Sequence, residues 1–262
     1  MHFVFLGSSG AIPGRNRDTT SLVFVGERDA VLVDCGGSPA QKLMLAGTDP
    51  RALSRVVITH IHPDHAYGLP SLVQTLFLLC RKRPLHLACR EEHEAPLRAL
   101  LGLFGLLERP GLFPVVWEPV PPREGFTISK PGGGTPGDFG ITASPNAHGG
   151  MPNMALRFEA PGGPAVVYSS DTEPCAAVEA LARGAHTLIH EATFSERRPR
   201  GIGAHSTAAQ AGEIAARAGV TRLILAHIDA GLHGELDALR EEARARFSGE
   251  VEIARELVPY PL

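Results

Sequence analysis

The heptapeptide THIHPDH, Thr59–His65, puts three histidines and an aspartate within six residues, directly after the apolar run Val56-Val57-Ile58. Imidazole and carboxylate are ligands that suit zinc, and also manganese or iron. Histidines two apart at the end of a strand can both turn toward one ion as the chain leaves the sheet. The aspartate and histidine that follow then face a neighbouring position. A mononuclear hydrolytic site needs three protein ligands. Four at this density (His60, His62, Asp64 and His65) point to two metals.

Two ions need further ligands, and the sequence offers them past other β-like runs. His148 follows Ile141–Ala147, Asp171 closes Ala165–Ser170, and His227 closes Leu223–Ala226. Taken singly, these read equally well as a loop residue, a helix cap and a strand-end residue. Taken with THIHPDH, they fall on one rim of a set of strands. Two divalent ions there can activate a water and stabilise both the attacking and the leaving oxygen of a phosphodiester.

The elements that must position these residues follow from periodicity and from Gly and Pro punctuation. Strands are expected at 2–6, 22–25, 30–34, 55–59, 85–88, 115–117, 127–129 and 141–143. A hairpin, 154–159 and 165–168, turns through Pro161-Gly162-Gly163-Pro164. Helices are expected at 38–46, 68–79, 90–101, 174–182, 207–218 and 235–246, with strands at 187–190 and 222–226. The glycine-rich KPGGGTPGDFG at 130–140 reads as a turn between strands. Two halves emerge, each with strands followed by strand–helix units, and no linker divides them. The pattern predicts one α/β domain over 1–262, with helices outside two packed sheets.

Bulk properties agree with a soluble globular protein. The 262 residues are 44% hydrophobic and 20% charged, enough chain for a large buried core. The longest apolar run, near Ser71–Leu79, is too short to span a bilayer, and the N-terminus reads as a strand and turn rather than a signal peptide. Four scattered cysteines without a CxxC pair fit a reducing cytoplasm. A net charge of −3 argues against tight sequence-independent nucleic-acid binding. The arginine clusters at 81–83 and 197–200 are expected to be mainly solvated surface.

The motifs FLGSSGAIPGRNRDTTSLVF (5–24), LVDCG (32–36), THIHPDHAYGLPSL (59–72), YSSDTEPC (168–175), IHEATF (189–194) and HSTAAQA (205–211) run through almost the whole chain. Together they resemble the metallo-β-lactamase superfamily, and within it the ribonuclease Z branch. The resemblance implies an αββα sandwich of two mixed sheets with helices on the outer faces. It implies a dinuclear hydrolase with His60, His62 and His148 on a first ion, Asp64, His65 and His227 on a second, and Asp171 bridging. The ions are expected to be zinc, with manganese or iron as alternatives, sharing a bridging hydroxide. Asp64 would also orient or deprotonate that water. His205 would give a proton to the leaving oxygen while Glu191 keeps the imidazole charged. His2, His86, His93, His186, His190 and His233 match no ligand position and are expected on the surface or in packing, with an orienting role open for His190 beside Glu191. Arg15 and Arg17 resemble a basic substrate loop.

The implied substrate is an RNA 3′ end, and the implied assembly a homodimer. Only 22 residues separate His148 from Asp171, and the hairpin uses nearly all of them, so the tRNA-gripping arm of that branch has no room. A small phosphodiester, sulfate ester, lactone or thioester is the alternative substrate class. A metal-stabilised scaffold without activity is disfavoured by the full ligand set.

Overall fold

The computed structural model describes residues 1–130, 138–198 and 204–262. The first half lays down β1 (His2–Gly7), β2 (Ser21–Val25), β3 (Ala30–Val33), β4 (Leu53–Ile58), β5 (Leu85–Arg90) and β6 (Val115–Val120). The second half adds β7 (Phe126–Ser129), β8 (Gly140–Pro145), β9 (Met154–Glu159), β10 (Val166–Tyr168), β11 (Thr187–Glu191), β12 (Arg222–Ala226) and β13 (Glu250–Ile253). The chain then returns to the first sheet as β14 (Pro259–Pro261), so the sheet orders are β14-β1-β2-β3-β4-β5-β6 and β13-β12-β11-β10-β9-β8-β7. Each sheet is mixed: β3 to β6 run parallel, as do β10 to β13, and the remaining neighbours pair antiparallel.

Alternation along the strands makes the layers. In β4, Val57 faces the core between the sheets, whereas Val56 and Ile58 face the helices outside. The inter-sheet core is aromatic, and Phe24 stacks on Phe158 across it with ring centroids 3.7 Å apart. Over the first sheet lie α1 (Pro39–Leu45), α2 (Pro63–Ala66), α3 (Leu69–Leu78) and α4 (Glu94–Gly102). Over the second lie α5 (Ala176–Ala182), α6 (Ala208–Ala218) and α7 (Leu236–Arg244). Three separate cores thus bind four layers, the expected αββα sandwich. No helix among the described residues is long and apolar enough to cross a membrane.

Several expected boundaries shift. The helix expected at 90–101 begins only at Glu94, because Glu91–His93 form a 3-10 turn. The helix expected from Pro174 begins at Ala176. α6 matches, and the sequence shows why: Thr207 and Gln210 form a reciprocal capping box, and Gly219 closes the helix at φ 70°. β13, β14 and the four-residue α2 within HPDHA were not expected. The turn expected at 130–140 lies largely outside the described residues.

Arg81 departs from the solvated cluster expected of it. It is buried, donates to the carbonyls of Arg51, Arg83 and Pro84, and is pushed down to about 10 by burial. Arg17 is half-buried too, spending its guanidinium on Ser8 Oγ and the Ala254 carbonyl, so it is not a free phosphate contact.

Candidate metal centre

The parallel strands of both sheets end on one rim, the edge where open α/β sheets bind ligands. Three residues there leave their strands in the left-handed region: Asp34 after β3 (φ 58°), Ser170 after β10 (φ 52°) and His227 after β12 (φ 53°). Such a conformation costs a non-glycine residue roughly 1–2 kcal/mol. Here it turns side chains out of the sheet alternation and into the rim. Gly36 serves the same end, since a Cβ there would stand 2.0 Å from the Asp64 carbonyl oxygen. Only glycine lets LVDCG pack under the THIHPDH turn.

All seven ligand candidates converge. His60, His62, His148 and Asp171 form one cluster, and Asp64, His65, His227 and Asp171 a second, with ligand atoms in each within 4.8 Å of one another. Asp171 Oδ2 joins them: it lies 3.1 Å from His227 Nε2, 3.3 Å from His65 Nε2, 3.8 Å from His60 Nε2 and 3.9 Å from His148 Nε2. His62 Nδ1 lies 3.0 Å from His60 Nε2 and 3.1 Å from His148 Nε2. One proton cannot serve both contacts as ordinary hydrogen bonds. Nitrogens about 2.0–2.1 Å from a shared tetrahedral ion stand at roughly this spacing.

The outer nitrogens fix the tautomers. His65 Nδ1 donates to Asp34 Oδ2 (2.9 Å), His227 Nδ1 to Thr193 Oγ1 (2.9 Å) and His148 Nδ1 to the Ala204 carbonyl (2.8 Å). Thr59 Oγ1 gives its proton to Asp34, at 3.0 Å, and can accept from His60 Nδ1 at 3.2 Å. Each of these four histidines therefore points its Nε2 inward, where a cation could take the place of any proton it carries. His65 Nε2, His227 Nε2 and Asp171 Oδ1 are buried without a hydrogen-bond partner. Orphaned inward-facing acceptors in a ring are what a divalent cation would satisfy, so the donor set fits a metal.

The electrostatics of the clusters differ. Burial and the neighbouring His65 push His60 well below the usual histidine range. Burial would also lower His65, but Asp171 and Asp34 override it and hold that imidazole well above its usual range. Burial would raise Asp64 and Asp171, yet the surrounding imidazoles keep both carboxyls well below the ordinary carboxylate range.

Beside the clusters stands a second pair. Glu191, buried at the end of β11, accepts from His205 Nδ1 (2.8 Å), the backbone N–H of Thr172 (2.9 Å), and the N–H and hydroxyl of Thr193 (3.1 and 2.7 Å). Burial alone would lower His205, but the Glu191 bond raises it to about 9. The His205 ring centroid lies 5.0 Å from that of His148 and 5.4 Å from that of His227, with Phe194 edge-on at 5.8 Å.

Sequence reasoning gave no role to Asp34, Thr59, Ser170 or Thr193, although all four sit in quoted motifs. Ser170 Oγ donates to Thr59 Oγ1 (2.8 Å), joining YSSD to THIH behind the ligands. The available signal was a polar residue closing an apolar strand, as at Asp171. The other histidines behave as packing residues. His93 bonds the Pro152 carbonyl, His86 pairs with Glu118, and His190 is buried against its own strand end.

Comparison with known proteins agrees with this geometry. Residues 29–228 match the family described as beta-lactamase superfamily domain. Ribonuclease Z of Methanothermobacter thermautotrophicus is 31% identical over 301 aligned positions, covering 94% of this chain and 92% of its own. The chain is a ribonuclease Z-like member of the metallo-β-lactamase superfamily. That alignment is longer than the chain, so the relative carries residues that this member lacks. Among solved structures, the metallo-β-lactamase fold protein YhfI of Bacillus subtilis superposes with a TM-score of 0.81 at 25% identity, covering 99% of this chain and 98% of its own. The short form of human tRNase Z gives 0.79 at 21% identity, with full coverage of both chains, a likeness of fold.

Proposed function

We propose that this chain is a dinuclear, zinc-dependent phosphodiesterase of ribonuclease Z type that cleaves at RNA 3′ ends. The observation that carries the reading is the pair of ligand clusters sharing Asp171 Oδ2 beside the pair of buried Glu191 and half-buried His205. His60, His62 and His148 would hold one ion, Asp64, His65 and His227 the other, and Asp171 both. Ions bound there supply an activated water and positive charge for the phosphoryl oxygens. Asp64, kept ionised by His65 and His227, would accept a hydrogen bond from that water and orient it. As the new P–O bond forms and the old one breaks, His205 gives its proton to the leaving oxygen. Glu191 keeps His205 charged until then and fixes the ring through Nδ1.

A second reading, a small phosphodiester as substrate, is favoured by one observation. Between His148 and Asp171 the chain contains only β9, a tight turn and β10. No segment there could grip a folded tRNA away from the scissile bond, and such remote contacts position large substrates. Arg15 is exposed, Arg17 is committed to Ser8 and Ala254, and Arg198 pairs with Glu235 at 2.9 Å. The rest of the 197–200 cluster, beyond Arg198, lies outside the described residues. Cleavage of a precursor tRNA and of bis(p-nitrophenyl) phosphate, compared at fixed salt and zinc, tests both readings. Efficient cutting at the discriminator end establishes the RNA reading. Hydrolysis of the small diester alone establishes the second.

The homodimer belongs to the same proposal. The first helical layer leaves Met44, Leu45, Leu78, Leu103 and Phe104 exposed, and Tyr67, Pro70, Leu100 and Phe104 line a cavity of about 570 Å³ there. Exposed apolar side chains beside such a cavity favour this layer as the association face. Phe104→Glu should convert a dimer into a monomer in sedimentation, and an unchanged mass would locate the contact elsewhere. A cytoplasmic setting accords with four free cysteines.

A further inference from the structure

The loop between β8 and β9, residues 146–153, carries His148, and an asparagine stands at each end of it. Both side chains reach the segment Ser169-Ser170-Asp171, where the chain leaves β10. The two amide hydrogens of Asn146 go to the carbonyls of Ser169 (2.7 Å) and Asp171 (3.1 Å). Asn153 Nδ2 donates to the same Asp171 carbonyl at 2.8 Å, and its Oδ1 accepts the backbone N–H of Met154 at 2.7 Å. Carbonyls facing each nitrogen settle which way both amides point. Both lone pairs of the Asp171 carbonyl are thereby filled from the β8–β9 loop. The backbone N–H of Glu173 donates to the Ala147 carbonyl at 2.7 Å, so ties lie on both sides of His148 and on both sides of Asp171.

The backbone shows why such ties are needed. Asp171 comes straight after Ser170, which sits in the left-handed region at φ 52°, and α5 begins only at Ala176. A serine holds that conformation only where its surroundings impose it. Asn153 is 2% exposed, and Ser169, Ser170 and Asp171 are no more exposed than that, so solvent does not compete for these bonds. The clamp joins two ligand-bearing segments of one sheet. His60 and His62 come from the other sheet through the THIHPDH turn, which Ser170 Oγ reaches by its bond to Thr59 Oγ1. The first cluster thus draws two of its four members, His148 and Asp171, from the clamped pair, whereas the second draws Asp171 alone. Neither asparagine lies in the motifs that carry the family resemblance.

We propose that Asn146 and Asn153 are positioning residues, a pair of amide clamps that hold His148 and Asp171 at the separation the first ion requires. An amide suits this task because it donates to a carbonyl without bringing charge beside the ligands, whereas a lysine or arginine there would repel the ions. The proposal rests on the two-metal reading of the site and not on its substrate.

Zinc affinity tests the clamp. Chelator competition at fixed pH resolves the two ions, with His62→Ala marking which phase belongs to the His60–His62–His148 position. Asn146→Leu and Asn153→Leu should each weaken that position about tenfold or more, and the other position no more than about threefold. Cobalt(II) in place of zinc should show altered d–d absorption at the same position, a signature of ligand geometry that a loss of general stability does not produce. Asn153→Asp, which keeps the size and the Oδ1 acceptor and loses only the donating nitrogen, serves if a leucine variant does not fold. Affinities within about twofold of the parent at both positions overturn the proposal, even if the metal-free variants melt earlier. An equal loss at both positions with the parent's cobalt spectrum overturns it too. If the parent takes up one ion only, the two-metal reading fails, and the clamp stands or falls on whether the variants weaken that ion about tenfold. If no diester is hydrolysed, the phosphodiesterase reading fails, and the zinc affinities still decide the clamp.

Discussion

The two ligand clusters are built to different standards. The cluster of Asp64, His65, Asp171 and His227 is wholly buried, and its imidazoles are braced by side chains, Asp34 behind His65 and Thr193 behind His227. In the cluster of His60, His62, His148 and Asp171, His62 is only half-buried, and His148 leans on a backbone carbonyl at Ala204. Side-chain braces fix both orientation and basicity of a ligand, whereas a carbonyl on a loop fixes it only as well as the loop is fixed. On the proposed dinuclear reading, the difference teaches that one position would keep its ion and the other would exchange it or face the substrate. Asp171 Oδ2 alone belongs to both.

The largest effect should come from that shared residue. Asp171→Ala removes a ligand from each cluster, so both ions should be lost by elemental analysis and diester hydrolysis should fall to the detection limit. A variant retaining one tightly bound ion would show that the clusters are independent.

His205→Ala should spare both clusters. Zinc content should match the parent while kcat falls about 10²–10⁴-fold, the usual contribution of a general acid. In the parent, the rate should fall as pH rises through about 9, because His205 loses its proton there, and the variant should lack that limb. The same raised value makes the Glu191–His205 pair fully stabilising below about 6.5, the ordinary histidine value, and ineffective above about 9. Loss of zinc in this variant would reassign His205 from proton donor to ligand.

Asp34→Ala strikes the deeper cluster most directly, through His65, and reaches His60 only through Thr59. Zinc affinity at the deeper position should weaken about 10–100-fold, with a smaller loss at the His60–His62–His148 position. Equal weakening of both positions would mean that Asp34 supports the rim as a whole.

What the sequence disclosed, and what it withheld, divides along the same line. The seven ligand candidates were legible as a set, because His148, Asp171 and His227 read singly as loop, cap or strand-end residues and point to one rim only beside THIHPDH. Asp34, Thr59 and Thr193 were not, since a lone aspartate or threonine at a strand end is an everyday turn or cap residue. Only the third dimension brings Asp34 within 2.9 Å of a nitrogen 31 positions away in sequence. The fold follows the same logic. α6 is written in its capping box, whereas β14 is three residues, Pro-Tyr-Pro, held at a sheet edge by pairing with β1. Proline discourages a strand reading there, and an edge tolerates it because half its backbone groups need no partner.

The account stands most directly on one titration: zinc added stepwise to metal-free protein, with bound metal and bis(p-nitrophenyl) phosphate hydrolysis followed together. Two equivalents should bind. The first should fill the braced Asp64–His65–His227 position with little turnover, and activity should rise only as the second enters. Full activity at one equivalent, or saturation of the protein at one, would contradict the dinuclear centre.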